Sequence, residues 1–178
     1  MKILIVEDGK DKRQSIKKVI LETGDNSIEV AKTYFSAKNK IITMRKEYDM
    51  VILDMFLPDA KDDEERKGLA GKDLIFDIMS EGIEVPILVV TQYTEYVNNM
   101  MPREQKNREF KHMIENKHYG KDLDDDIVAN YDCTYYEGLH EYLEAKAPIY
   151  LGIIFYSNQF KEWIDDLKYF INKVKGDM

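Results

Sequence analysis

The stretch Asp49–Pro58, DMVILDMFLP, constrains the fold more than any other part of the chain. Four apolar residues, Met50-Val51-Ile52-Leu53, end abruptly in the carboxylate Asp54. Pro58 has no N–H for a ladder and cannot continue a central strand. A short apolar run bounded by turn residues suits a strand buried on both faces, as in parallel sheets. Asp54 then stands at the carboxyl end of that strand, where open α/β sheets place their chemistry. Taken alone, Asp54 reads equally well as an ordinary strand-ending aspartate. The functional reading depends on what the other strand ends carry.

Lys2–Val6, KILIV, is a β-branched apolar run and predicts a first strand, closed by Glu7-Asp8-Gly9. Lys10–Glu22 follows with Ile16, Val19, Ile20 and Leu21 among charges, which is helical spacing. Gly24 and Asp25-Asn26 stop it. Ile28–Ala31 predicts a weak strand near a sheet edge. Tyr34–Tyr48 predicts a helix with an apolar face at Phe35, Ala37, Ile41, Ile42 and Met44. Met50–Asp54 is the third strand, and Asp59–Lys67 a charged loop. Leu69–Ser80 is a helix with Leu74, Ile75, Ile78 and Met79 in register, ended by Gly82. Val85–Thr91, VPILVVT, is the fourth strand, with Pro86 near its start, where a missing N–H is tolerated. The order βαβαβαβ, with connections of this length, predicts a parallel sheet covered by helices on both faces.

The alternation breaks at Gln92–Pro148. Two helices are expected inside that segment, near residues 103–117 and 134–146. Ile149–Tyr156 then predicts a fifth strand and Gln159–Val174 a closing helix, with Phe160, Trp163, Ile164, Leu167, Phe170, Ile171 and Val174 on one face.

Bulk properties remove several function classes. The chain has 178 residues, and its formal charge of −8 argues against a nucleic-acid surface and against an anionic membrane. No apolar run approaches spanning length, and Met1–Val6 is too short for a signal peptide. A lone cysteine, Cys133, forms no intrachain disulfide. The expectation is a soluble cytoplasmic protein without nucleic-acid or membrane partners.

In a doubly wound sheet of order 2-1-3-4-5, strands one, three and four are neighbours, and their carboxyl ends meet at the switch point. Those ends carry Glu7 and Asp8, Asp54, and the hydroxyl of Thr91. Three carboxylates in one crevice repel unless a cation sits among them. Mg²⁺ suits such a site because it takes oxygen ligands and keeps several waters. One carboxylate can then act as a nucleophile toward phosphorus, with Thr91 in reach of a phosphoryl oxygen. Other motifs fail on inspection. Asp122, Asp124 and Asp126 alternate like the start of an EF-hand loop, but Ile127 stands where glycine is needed and Cys133 where glutamate is needed. His112, His118 and His140 have no metal-ligand spacing with one another or with Cys133. Phe56, two residues after Asp54, departs from the Asp-x-Asp arrangement of other Mg²⁺-dependent phosphohydrolases and nucleases.

KILIVED, DMVILDMFLPD and VPILVVT, in that order and spacing, resemble the first, third and fourth strands of the receiver domain of two-component response regulators. Pro58, followed by Gly68 or Gly71, fits as well. The resemblance covers Met1–Thr91 well, Ile149–Val174 moderately, and Gln92–Pro148 not at all. It implies a flavodoxin-like doubly wound five-stranded parallel sheet, order 2-1-3-4-5, with a helical insertion between strands four and five. The chain is then one receiver-like domain over 1–178, interrupted at 92–148. The resemblance further implies Glu7, Asp8 and Asp54 as Mg²⁺ residues, Asp54 as phosphoacceptor and Thr91 as switch hydroxyl. The phosphoryl donor would be a histidine kinase or phosphotransfer protein, and the signal would pass to an output protein.

The chain departs from that pattern in four places. Receivers carry a lysine at the end of strand five, followed by proline and an aromatic. If Phe160 matches the aromatic, Asn158 occupies the lysine position, Gln159 the proline position, and Phe155 that of the switch aromatic. Asn158 can hydrogen-bond a phosphoryl oxygen but brings no charge. Gln92 replaces the small residue expected after the switch hydroxyl. The charged loop Lys61–Lys67 and the insertion complete the list. Because the chain ends at Met178, just after the closing helix, a stand-alone receiver acting through protein contacts is expected, not a conventional enzyme. The alternative is a degenerate pseudo-receiver that serves as a phosphorylation-independent interaction module.

Overall fold

Successive residues of a strand point to opposite faces, and here both faces are buried. Ile3 and Ile5 enter one core, Leu4 and Val6 the other. Met50 and Ile52 are separated in the same way from Val51 and Leu53, and Leu88 and Val90 from Ile87 and Val89. That is why these segments read as unbroken apolar runs. The computed structural model describes residues 1–45, 47–58, 66–67, 70–92, 143–158 and 161–176.

The main elements are β1 (Lys2–Val6), α1 (Lys10–Glu22), β2 (Ser27–Ala31), α2 (Tyr34–Lys38), β3 (Met50–Leu53), α3 (Ala70–Ser80), β4 (Ile87–Thr91), β5 (Tyr150–Phe155) and α4 (Glu162–Lys175). The five strands form one parallel sheet in the expected order 2-1-3-4-5. β2 lies at the edge, as its weak apolar content suggested. α1 packs Ile16, Val19 and Ile20 onto one face of the sheet beside Trp163, Leu167, Phe170 and Ile171 of α4. The other face receives Ala37, Ile41 and α3 through Leu74, Ile75 and Ile78. Each such side chain, fully buried, contributes roughly 1.5–3 kcal/mol of transfer free energy.

Several expectations need local correction. Leu21 and Phe35, assigned to apolar faces, are 61% and 55% exposed. The helix expected over Tyr34–Tyr48 is shorter. α2 passes at Asn39–Thr43 into a π-helical turn, with Met44 N–H donating to Asn39 O at 2.8 Å, and Arg45 ends it at φ 49°. The ends of the charged loop pair, since Leu57–Pro58 and Arg66–Lys67 form a two-residue antiparallel ladder. The β4–β5 register shifts between Ile87 and Leu88, opposite Tyr150 and Gly152, and Gly152 has φ 145°, which glycine adopts without strain. Of the insertion, residues 143–146 are helical. The helix expected near 103–117 and most of that near 134–146 lie outside the described residues. So do Cys133, the Asp122–Asp126 run and all three histidines.

α2 and α3 are tied by a polar triad. Asp77 Oδ2 accepts from Tyr34 Oη and pairs with Lys38 Nζ at 2.8 Å. Burial works against the Asp77 charge, but Lys38 and Tyr34 outweigh it and hold the carboxyl below its ordinary value of 3.8. A depressed carboxyl contributes stability above the unfolded-state pKa and loses it as pH falls through the native one. Asp77→Asn is therefore expected to lower stability at neutral pH by less than about 1 kcal/mol, since both partners are about a third exposed and screened. The deficit should vanish in acid. Denaturant titrations at neutral and acid pH measure it, and an equal deficit at both would show that the triad acts through packing.

Candidate functional site

Parallel pairing brings the strand ends together. Asp54 N–H donates to Val6 O at 2.9 Å, so the first residue past β3 sits beside the last of β1. Glu7 and Asp8 follow directly. Carboxylate oxygens of Glu7, Asp8 and Asp54 all lie within 4.8 Å of one another. Glu7 and Asp54 are buried and Asp8 half-buried.

The β1–α1 turn is fixed by its own groups. Gly9 N–H donates to Glu7 Oε1 at 2.8 Å. This places the carboxylate at the start of α1, where helix N–H groups favour negative charge. Arg13 Nη1 donates to the backbone oxygens of Glu7 and Asp8 at 3.0 and 2.9 Å. On the β3 side, Gly71 N–H donates to Met55 O at 3.1 Å. Of the two candidate glycines after Pro58, Gly71 is the one seen to press on Asp54: a Cβ there would lie 2.5 Å from Asp54 O and 2.8 Å from Met55 Cα. Gly68 lies outside the described residues.

A cation already sits among the acids. Lys12, on the first turn of α1, places Nζ 2.7 Å from Glu7 Oε2 and 3.0 Å from Asp54 Oδ1. Only 5% of its side chain is exposed. These contacts are ion pairs by distance, and their angles fall short of directed hydrogen bonds. Burial opposes the Lys12 charge, but Asp54 and Glu7 more than offset it and hold the amine above its ordinary 10.5. Glu7 moves the other way. Burial pushes it up, Asp54 adds to this, and Lys12 only partly compensates, leaving it at about 7. With every group ionised the four side chains carry a formal charge of −2, which one divalent cation would balance. An all-oxygen donor set of this kind fits a hard divalent metal.

Sequence reasoning gave these acids a cation but took it to be a metal, and it missed Lys12. The signal was present in the spacing: Lys12 precedes Ile16 by four residues and Ile20 by eight, on the stripe that α1 buries.

Thr91 ends β4, fully buried, and its Oγ1 has no hydrogen-bond partner among the described residues. Phe155 stands opposite it in the ladder, and Gln92 next to it is half-buried. Asn158 is exposed, and its Oδ1 accepts from the Tyr156 hydroxyl at 2.7 Å. The same hydroxyl lies 3.2 Å from Ser15 Oγ on α1. Among the described residues, the cation beside Asp54 comes from α1 and not from the end of β5. Gln159 and Phe160 lie outside the described residues.

No family model matches the chain. It is 33% identical over 100 residues to the Detocs response regulatory protein DtcB of Enterobacter cloacae. That match covers 52% of this chain and 66% of DtcB, just short of two thirds of the relative's length. Among solved structures, the phosphorylated cyanobacterial phytochrome response regulator RcpA aligns with a TM-score of 0.55 at 14% identity, over 99% of this chain and 95% of its own. The Mn²⁺-bound response regulator Rcp1 aligns at 0.51 and 17%, over 96% and 91%. Topology and structural neighbours thus match CheY-like receiver domains of two-component response regulators. No helix among the described residues is long and apolar enough to cross a membrane.

Proposed function

We infer that this chain is a response-regulator receiver that accepts a phosphoryl group on Asp54 with Mg²⁺ and passes the signal through protein contacts. The observation that carries the reading is the meeting of Glu7, Asp8 and Asp54 within 4.8 Å at the carboxyl edge of a receiver-type sheet. Glu7, Asp8 and Asp54 would hold the metal, which when bound neutralises charge on the phosphoryl oxygens. An Asp54 carboxylate oxygen forms the bond to phosphorus, and the bond from phosphorus to the donor's leaving group breaks, the leaving group keeping the electron pair. Thr91, buried with its hydroxyl uncommitted, is suited to meet a phosphoryl oxygen. The domain runs over 1–178 with its interruption at 92–148. A histidine kinase or phosphotransfer protein is the donor, in the cytoplasm, and an output protein reads the result. The likeness to proteins named as response regulators supports this class of partner.

Asn158 favours the second reading, a phosphorylation-independent module, because it is exposed, bonded to Tyr156, and uncharged. Intact mass after incubation with a small phosphodonor separates the two. A Mg²⁺-dependent phosphate addition, labile to hydroxylamine as an acyl phosphate is, is the expected result. A protein that gains no phosphate under any metal condition would belong to the second class.

A further inference from the structure

We propose that Lys12 is the phosphoryl-binding cation of this site, supplying from α1 the positive charge that Asn158 does not supply from the end of β5. This rests on the reading of Asp54 as phosphoacceptor. Three observations carry it. Nζ lies 3.0 Å from Asp54 Oδ1, within reach of a group built on that carboxylate. The side chain is 5% exposed, although lysine is rarely buried unless paired. Its companion Glu7 is buried and bonded to Gly9 N–H, so the ammonium is aimed by fixed groups and not by chance on a solvated helix face.

Charge decides what the ammonium does when phosphate arrives. A phosphoryl group replaces the single charge of Asp54 by roughly two and adds three acceptor oxygens. Lys12 is then the protein's own cation at the acceptor, a compact point charge with three donors. The metal and the ammonium divide the work, since neither alone balances the phosphorylated cluster. In the unphosphorylated protein the same ammonium holds Glu7 and Asp54 together.

The test compares the full chain with Lys12→Met and Lys12→Gln, in Mg²⁺ throughout so that the metal supplies charge for folding. Circular dichroism first confirms the fold. If Lys12→Met does not fold, Lys12→Gln, whose amide still donates a hydrogen bond, carries the test. Two readouts are taken: the rate of acyl-phosphate formation from a small phosphodonor, and the affinity for fluoroberyllate, an unreactive phosphoryl mimic. A hydrogen bond to a charged group is worth roughly a tenfold to hundredfold factor. Both rate and fluoroberyllate affinity are therefore expected to fall at least about tenfold, while Mg²⁺ affinity without phosphate stays or rises, because a competing cation has gone. Variants that match the parent in both readouts overturn the proposal while leaving Asp54 as acceptor. A parent that gains no phosphate overturns the acceptor reading and this proposal with it.

Discussion

Asp54→Asn is expected to abolish phosphate uptake altogether and yet fold at least as stably as the parent in the absence of metal. The first half follows from chemistry: a neutral carboxamide oxygen is a poor nucleophile toward phosphorus, and the site would keep only two carboxylates for the metal. The second half follows from the charges. Glu7 and Asp54 are both buried and repel one another, and that repulsion helps push the Glu7 carboxyl up to about 7. Removing the Asp54 charge ends the repulsion. Lys12 is not stranded, because Glu7 Oε2 remains 2.7 Å away. A buried ion pair adds little net stability unless breaking it leaves one partner bare. Intact mass and metal-free thermal melts measure the two halves. Phosphate on the variant would move the acceptor elsewhere, and a loss of more than about 1 kcal/mol would make the Lys12–Asp54 pair a main support of the fold.

Gly71→Val should damage both stability and site. The added Cβ would lie inside contact distance of two backbone atoms, Asp54 O and Met55 Cα, neither of which can rotate away as a side chain could. Either α3 lifts from the β3 end or the Asp54–Met55 backbone shifts. Overpacking of this kind costs about 1–3 kcal/mol and often more when backbone must move. Because the shifted backbone carries Asp54, the rate of phosphate uptake should fall with stability. Gly82→Val is the contrast. Gly82 has φ +65° and nothing within 4 Å of the added carbon, so it should show only the strain of a β-branched residue in the left-handed region, with the site untouched. Equal uptake in both variants would show that the Gly71 contact does not position Asp54.

The sheet was legible because burial on both faces writes itself as runs of Val, Ile and Leu, and because Asp54, Glu7 and Thr91 fall where those runs stop. Other features had no such signature. Leu21 and Phe35 sit at helical spacing but on turns that face water. The π turn at Asn39–Thr43 depends on how Ile41 reaches the core, not on any local breaker. Lys12 was hidden in a run of charged residues, Lys10-Asp11-Lys12-Arg13. Only the sheet geometry tells which of these four meets the acids: Arg13 turns to the loop carbonyls, and Lys12 turns inward. The fate of Asn158 depended on Tyr156 and Ser15, which lie 141 positions apart and meet only once α1 and β5 share a face.

The provenance of the four charged groups has a kinetic consequence. Glu7, Asp8 and Lys12 come from one short stretch of chain, and a single fourth member, Asp54, arrives with β3. The bond from Asp54 N–H to Val6 O belongs to the same β1–β3 junction that completes the cluster. The first β-turn-α unit can gather its three charges by local chain closure, which is fast. Joining the fourth requires the longer closure that pairs β1 with β3. Competence for chemistry therefore arises in one step, when those two strands zip, and a nascent chain short of β3 carries a charged cradle with no acceptor in it.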